Sequence, residues 1–175
     1  MSYRPLILVV DDIDINRELI CDIMESNDFR TLVAENGKEA VEIALKEIPD
    51  LILMDLEMPV MNGIDAIKEL MKESATSRIP IIVLTGLNEK EDRIKAFDSG
   101  AMDYVNKPFD THELLSHVRS YLRFSLLNKK YVLSTISQET DLPNRAALRE
   151  RLEEYSQPRL FLLKVDELES ISRFY

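Results

Sequence analysis

Five short apolar runs, separated by segments of helical pattern, constrain the fold of this chain more than any other feature. The runs are found in PLILVVDD, FRTLVAEN, PDLILMD, IPIIVLTG and AMDYVNKPF. Near-continuous Val, Ile and Leu are typical of strands buried on both faces of a parallel sheet. Strands that alternate with single helices form doubly wound α/β domains. We therefore predict such a domain, with a five-stranded parallel sheet, over residues 4–124.

The segments between the runs carry helical signals. In DINRELICDIMESND, three apolar residues recur at helical spacing: Ile15, Leu19 and Ile23. The last segment, DTHELLSHVRSYLRF, begins with Asp110 or Thr111, either of which is a suitable helix cap. Both segments are predicted to be helices of the α/β domain.

Polar residues stand at the carboxyl ends of four of the five predicted strands. They are Asp11 and Asp12 after the first, Asp55 at the end of the third, Thr85 at the end of the fourth and Lys107 after the fifth. Ligands of open α/β sheets bind beyond the carboxyl ends of the strands. An aspartate pair alone is usually a turn or a cap, but here all five side chains are expected at one edge of one sheet.

The charges at this edge do not balance. Two carboxylates about 4 Å apart repel by on the order of 4 kcal/mol at an effective dielectric near 20. Lys107 alone does not offset three carboxylates, whereas Mg²⁺ binds carboxylates together with waters and phosphate oxygens. Because aspartate forms covalent phosphoryl intermediates, the pattern predicts a magnesium site with Asp55 as nucleophile. Thr85 and Lys107 are then expected to hydrogen-bond the phosphoryl oxygens.

These residues resemble the receiver domains of two-component response regulators. The matching motifs are Asp11-Asp12, Asp55 followed by MPVMNG, Thr85-Gly86 and Lys107-Pro108. The resemblance covers residues 4–124 and implies a flavodoxin-like fold, with Asp55 as phosphoacceptor. It also implies a histidine kinase or a phosphotransfer protein as the partner that supplies the phosphoryl group.

The resemblance further implies a role for each residue around the metal. Asp12 and Asp55 would bind Mg²⁺ directly, Asp11 would act nearer to a water-mediated position, and the backbone carbonyl of Glu57 would complete the shell. Glu57 and Leu87 also occupy the two positions that tune the lifetime of the phosphorylated state in this family, although their residue types do not decide the direction.

A conformational switch is implied as well. Tyr104 matches the aromatic residue that reorients when Thr85 engages the phosphoryl group, and the Lys107–Pro108 bond is expected to be cis. The rival interpretation is a receiver-like module that a partner switches without phosphorylation. Its mark would be the loss of an acid or of the lysine, and this chain retains all of them.

The last helix of the domain is expected to continue into a linker over residues 125–138. A heptad-like seam is formed by Leu115, Leu122, Leu126, Leu133 and Ile136. We predict a parallel homodimer through residues 115–136. The alternative is an ordinary amphipathic helix packed on its own domain.

Residues 139–175 resemble the start of a diguanylate cyclase domain of the GGDEF family. The match rests on Thr140, Leu142, Asn144 and Arg145, and on the strand-like LFLLKVDEL. Lys164 stands where the family's Asp-x-Asp stretch has the acid expected to bind metal, Asp166 keeps the last position of that stretch, and Ser172 replaces a guanine-contacting asparagine. A chance match is the alternative. We expect no cyclase activity from these 175 residues, either because the output is degenerate or because a catalytic half lies elsewhere.

Composition limits the classes of partner that we expect. The formal net charge is −10 and the pI about 4.8, which argues against nucleic acid as a direct partner because phosphates repel such a surface. No positively charged leader and no membrane-spanning apolar stretch occurs, so we expect no membrane partner and a cytoplasmic location.

Overall fold

The computed structural model describes residues 3–86 and 90–135, and for residues 90–92 and 127–135 it describes the main chain only. Five strands and five helices alternate along this part of the chain. The strands are β1 (Leu6–Val10), β2 (Arg30–Ala34), β3 (Leu51–Asp55), β4 (Ile81–Thr85) and β5 (Asp103–Asn106). The helices are α1 (Asp14–Glu25), α2 (Gly37–Glu47), α3 (Gly63–Lys72), α4 (Lys90–Ser99) and α5 (Thr111–Thr135).

The strands form one parallel sheet in the order β2-β1-β3-β4-β5. The predicted doubly wound, flavodoxin-like fold is therefore confirmed. The order places the carboxyl ends of β1, β3, β4 and β5 side by side, and Asp11, Asp12, Asp55, Thr85 and Lys107 lie at or directly after those ends. The Lys107–Pro108 bond is cis, as expected.

The core lies in two layers, one on each face of the sheet. Alternate strand residues such as Leu8 and Ile52 pack with α2, α3 and α4. Their neighbours, such as Ile7 and Leu51, pack with α1 and α5. Because both faces are covered, β3 and β4 are buried along their whole length, which explains their near-continuous apolar sequences.

Helix α1 forms where its apolar spacing predicts, but it buries a different side. Its buried residues are Arg17, Ile20 and Met24, whereas Ile15 and Leu19 are exposed by 73% and 55%. An arginine has thus entered the core side of the helix in place of an aliphatic residue. Its contacts are described with the site below.

The packing of helix α5 contradicts part of the predicted dimer seam. Leu115 and Leu122 are 6% and 4% exposed and belong to the core beneath the sheet, so the part of the seam that they were to form is wrong. Leu126 is 38% exposed, and the side chains of Leu133 and Ile136 lie outside the described residues. Asp110 caps the helix as predicted, because its Oδ1 accepts hydrogen bonds from the main-chain N–H groups of His112 and Glu113.

None of the described helices carries an apolar stretch long enough to cross a membrane. The tail with the cyclase-like motifs, residues 139–175, lies outside the described part of the chain.

Candidate functional site

Three carboxylates meet at the carboxyl edge of the sheet. Asp11 and Asp12 follow β1, and Asp55 is the last residue of β3. One carboxylate oxygen from each of the three lies within 4.8 Å of the others. Asp11 and Asp55 are buried, while Asp12 is exposed. The sequence prediction that these acids converge is therefore matched by the geometry.

Lys107 lies between two of the acids. Its Nζ donates hydrogen bonds to Asp11 Oδ2 at 2.5 Å and to Asp55 Oδ2 at 2.8 Å. One ammonium therefore faces two buried carboxylates, with the third acid close by. With all three acids ionised, the site carries more negative than positive charge.

The pKa values of Asp55 and Lys107 are both raised, but for different reasons. Burial raises the pKa of Asp55, and the bond to Lys107 lowers it without cancelling the rise, partly because Asp11 repels the second charge. Burial lowers the pKa of Lys107, but its bonds to the two acids outweigh that effect and the net pKa is raised. Two acids together stabilise the charged form of Lys107. One lysine divided between two acids does not fully stabilise the charged form of Asp55.

The loop after β3 fixes the Asp55 carboxylate. Asp55 Oδ1 accepts a hydrogen bond from the main-chain N–H of Leu56 at 2.7 Å, and Gly63 N–H donates to the Leu56 carbonyl at 3.0 Å. A Cβ atom at Gly63 would lie 2.1 Å from the Asp55 carbonyl oxygen. The loop can close onto the strand end only because residue 63 has no side chain. Asp55 Oδ2 therefore faces Lys107 in one fixed orientation.

Thr85 and Tyr104 lie on adjacent strands. Thr85 is the buried last residue of β4, and its carbonyl accepts a hydrogen bond from the Lys107 N–H at 2.7 Å. Tyr104 is half-buried and lies beside Val83, two residues before Thr85. The two predicted switch residues are therefore close along the sheet, on strands that share a register.

An arginine that the sequence analysis did not single out holds Tyr104. The guanidinium carbon of Arg93, on α4, lies 4.5 Å from the centre of the Tyr104 ring. Its Nη1 donates to the Tyr104 hydroxyl at 3.1 Å, and its Nη2 donates to Asn106 Oδ1 at 3.3 Å. Phe97 adds an edge-to-face contact with the same ring, with centroids 5.9 Å apart. The signal for this contact in the sequence was weak. Arg93 and Phe97 are one helical turn apart, so they lie on the same side of α4.

Two residues in the first turns of α1 contact Asp11 and were also missed. Asn16 Nδ2 donates to both carboxylate oxygens of Asp11, at 3.1 and 3.3 Å. Arg17 Nη1 donates to the Asp11 carbonyl oxygen at 2.5 Å. Two polar residues within one and a half helical turns of the Asp11-Asp12 pair were the available signal, but the apolar spacing of α1 obscured it.

Glu57 is exposed, in the loop after Asp55, and Leu87 lies outside the described residues. Carboxylate oxygens are the ligands that a hard divalent cation prefers, and a cation would offset the negative charge that Lys107 leaves. The donor set therefore fits Mg²⁺.

A family model described as the response regulator receiver domain matches residues 7–119. The phosphate regulon transcriptional regulatory protein PhoB of Escherichia coli is 41% identical over 117 residues, which are 67% of this chain and 51% of PhoB. Response regulator PleD of Caulobacter vibrioides is 38% identical over 127 residues, 73% of this chain and 28% of PleD. The chain thus spans about half the length of PhoB and less of PleD.

One solved structure of similar fold holds a magnesium ion. It is the receiver domain of a sensor histidine kinase from Pseudomonas aeruginosa, with a magnesium ion coordinated in its active-site cleft. The identity is 32% and the TM-score 0.65, and the match covers 69% of this chain and 98% of that one.

Proposed function

The chain belongs to the response regulator receiver family, the phosphorylation-dependent switches of two-component signalling, and we propose that Asp55 is its phosphoacceptor. The observation that carries the proposal is the setting of Asp55 at the end of β3. Its carboxylate is held by Leu56 and Lys107 within a group of three acids. Receivers of this family interact with histidine kinases or phosphotransfer proteins, and either would supply the phosphoryl group.

Mg²⁺ is the proposed cofactor. Asp12, Asp55 and the main-chain carbonyl of Glu57 would hold it, with Asp11 nearer to a water-mediated position. The exposure of Asp12 supports this division, because a cation entering from solvent reaches it first. Asp11 is buried and already accepts hydrogen bonds at both carboxylate oxygens. When bound, the cation supplies positive charge to the acids and to the phosphoryl oxygens.

The chain's own residues account for the rest of the transfer. A carboxylate oxygen of Asp55 attacks the phosphorus, and the bond from phosphorus to the donor's imidazole nitrogen breaks. The imidazole retains the electron pair, and Asp55 becomes an acyl phosphate. Lys107 would donate hydrogen bonds to the transferred oxygens, and so would the Thr85 hydroxyl. Such transfer depends mainly on positioning and charge neutralisation.

Thr85 and Tyr104 would carry the signal away from the site. Engagement of the phosphoryl group by Thr85 would draw β4 inward and open space for the Tyr104 ring. The adjacency of the two strands supports this pairing. The change is a population shift between two arrangements of β4, β5 and α4.

Phosphorylation of variants tests the assignment. With Mg²⁺ and acetyl phosphate, the wild-type protein is expected to gain one phosphoryl group by mass spectrometry, and Asp55→Asn none. Asp50→Asn is a matched control, because Asp50 is a buried acid just before the opposite end of the same strand. Undiminished labelling of Asp55→Asn would contradict the assignment.

For the tail, we propose a linker over residues 125–138 and a degenerate cyclase-like output over residues 139–175. Lys164 in place of a metal-binding acid supports a degenerate site, because an ammonium repels Mg²⁺. With GTP and Mg²⁺, cyclic di-GMP formation is expected to stay at background, with or without acetyl phosphate. Product above background that survives Asp166→Ala would contradict the alignment of the tail.

A further inference from the structure

Asp11 is held at both its main chain and its side chain by two consecutive residues of α1. Asn16 donates to the carboxylate, and Arg17 donates to the carbonyl. The main-chain N–H of Ile13 donates to Asp11 Oδ1 at 2.9 Å, and Lys107 completes the set. Every polar group of Asp11 is thereby engaged, since its own N–H donates to the Ala34 carbonyl at 3.3 Å.

Arg17 is held in turn by acids outside the metal group. Its side chain is 8% exposed, and its Nη2 pairs with Asp14 and lies 3.4 Å from Glu35 Oε1. A charge this deeply buried is costly unless it is paired and hydrogen-bonded. The Asp11 carbonyl therefore has a donor with little freedom to move.

Helix α1 depends on the same contacts at its start. Its N-cap residue, Ile13, makes no side-chain capping bond. The Ile13 N–H is instead satisfied by Asp11. The start of the helix and the acid-bearing loop are thus one hydrogen-bonded unit, with Asp12 between the two anchored residues.

From these contacts we propose that Asn16 and Arg17 are positioning residues for Mg²⁺ binding and phosphoryl transfer. They fix Asp11, and through its main chain they fix where the exposed Asp12 carboxylate stands relative to Asp55. Both side chains reach Asp11 through N–H groups, which donate hydrogen bonds and do not bind cations. The inference rests on the proposed function, because it concerns the same cation.

Arg17→Met separates positioning from simple charge. Arg17→Met removes a positive charge near the three carboxylates. If charge alone mattered, Mg²⁺ would be repelled less and would bind more tightly. Positioning predicts the opposite, a rise in the dissociation constant for Mg²⁺ of about tenfold, the effect typical of losing a group that orients a metal ligand. The two explanations therefore differ in sign.

The experiment is a Mg²⁺ titration of the full, unphosphorylated chain, followed by amide chemical shifts. Arg17→Met and Asn16→Leu are both expected to weaken binding, and Arg17→Lys to restore part of it. Arg4→Met removes the same charge from a residue that also donates to main-chain carbonyls. Asn27→Leu removes an amide just beyond the other end of α1. Both controls are expected to keep the wild-type dissociation constant.

Thermal unfolding without Mg²⁺ identifies any variant that does not fold, and if Arg17→Met does not fold, Asn16→Leu decides the question. Unchanged or tighter Mg²⁺ binding in the folded variants would overturn the positioning role. Absence of binding by the wild-type protein would instead overturn the proposed cofactor. The two failures are distinguishable within one titration series.

Discussion

Gly63 and Val60 show how single residues in the loop after β3 define the site. The close approach of residue 63 to the Asp55 carbonyl leaves no room for a side chain. Val60 has a φ of 69° and is 82% exposed, a left-handed conformation that costs a β-branched residue free energy. The loop thus requires a residue without a side chain at position 63, and it holds Val60 in a backbone conformation that valine disfavours.

Gly63→Ala is expected to lower the free energy of unfolding by about 1–3 kcal/mol, the usual cost of overpacking, and to slow phosphorylation by moving Asp55. Val60→Asn, in the same loop, is expected to raise the free energy of unfolding by about 1 kcal/mol, because asparagine tolerates φ > 0. Chemical denaturation measures both. A Gly63→Ala protein as stable and as reactive as the wild type would contradict the role given to the close contact.

Asp55→Asn is expected to raise the free energy of unfolding at neutral pH. The pKa of Asp55 is raised by burial, so the folded state disfavours the charged form, and stability falls as pH rises from 3.8 through the folded pKa. The variant's advantage is therefore largest above that window and shrinks as pH falls through it. Denaturation at several pH values measures this, with Asp98→Asn, an exposed acid, as control. An advantage that grows at low pH would contradict the sign.

At the scale of elements, Arg93 connects α4 to β5. It contacts the Tyr104 ring and hydroxyl and the side chain of Asn106, which lies opposite Thr85. One side chain therefore ties the helix to the strand that carries the proposed switch. Its loss would remove contacts specific to this arrangement of the ring.

Arg93→Met is expected to speed phosphorylation by acetyl phosphate about two- to fivefold, corresponding to ~0.5–1 kcal/mol, the lower part of the range for a cation–π contact. The reason is that the Tyr104 ring is freed to adopt the second arrangement, which favours the phosphorylated state. Arg78→Met, an exposed arginine before β4, controls for charge. Equal or slower phosphorylation of Arg93→Met would show that the contact does not restrain the switch.

At the scale of the whole molecule, α5 has two parts with different roles. Its first turns bury Leu114, Leu115, Val118 and Leu122 in the core. Further along, Phe124 and Leu126 are 51% and 38% exposed. The predicted seam therefore loses Leu115 and Leu122 to the core, and Leu126 is its first exposed member.

Leu126→Glu is expected to lower the oligomeric state in light scattering while leaving thermal stability nearly unchanged. Leu122→Glu, one turn earlier, is the matched contrast. It would bury a charge and is expected to lower the free energy of unfolding by several kcal/mol. A wild-type protein that is monomeric at every concentration, phosphorylated or not, would remove the dimer proposal.

The sequence by itself determined the sheet and the residues at its edge. Near-continuous apolar runs mark strands buried on both faces, and parallel strands bring their carboxyl ends together. Asp11, Asp55, Thr85 and Lys107 could therefore be placed at one edge without coordinates. Local sequence suffices here because strand burial and side-chain alternation are properties of short segments.

Only the tertiary structure decided which sides of α1 and α5 are covered and which residues support the acids. Spacing alone does not show that α1 buries Arg17 and exposes Ile15, because Arg17 is held by the Asp11 carbonyl in the loop before the helix and by Glu35 after β2. Leu122 was likewise placed in an intermolecular seam although it packs beneath the sheet. The physical reason is the same in each case: burial and hydrogen-bond satisfaction depend on partners that are brought close only by the fold.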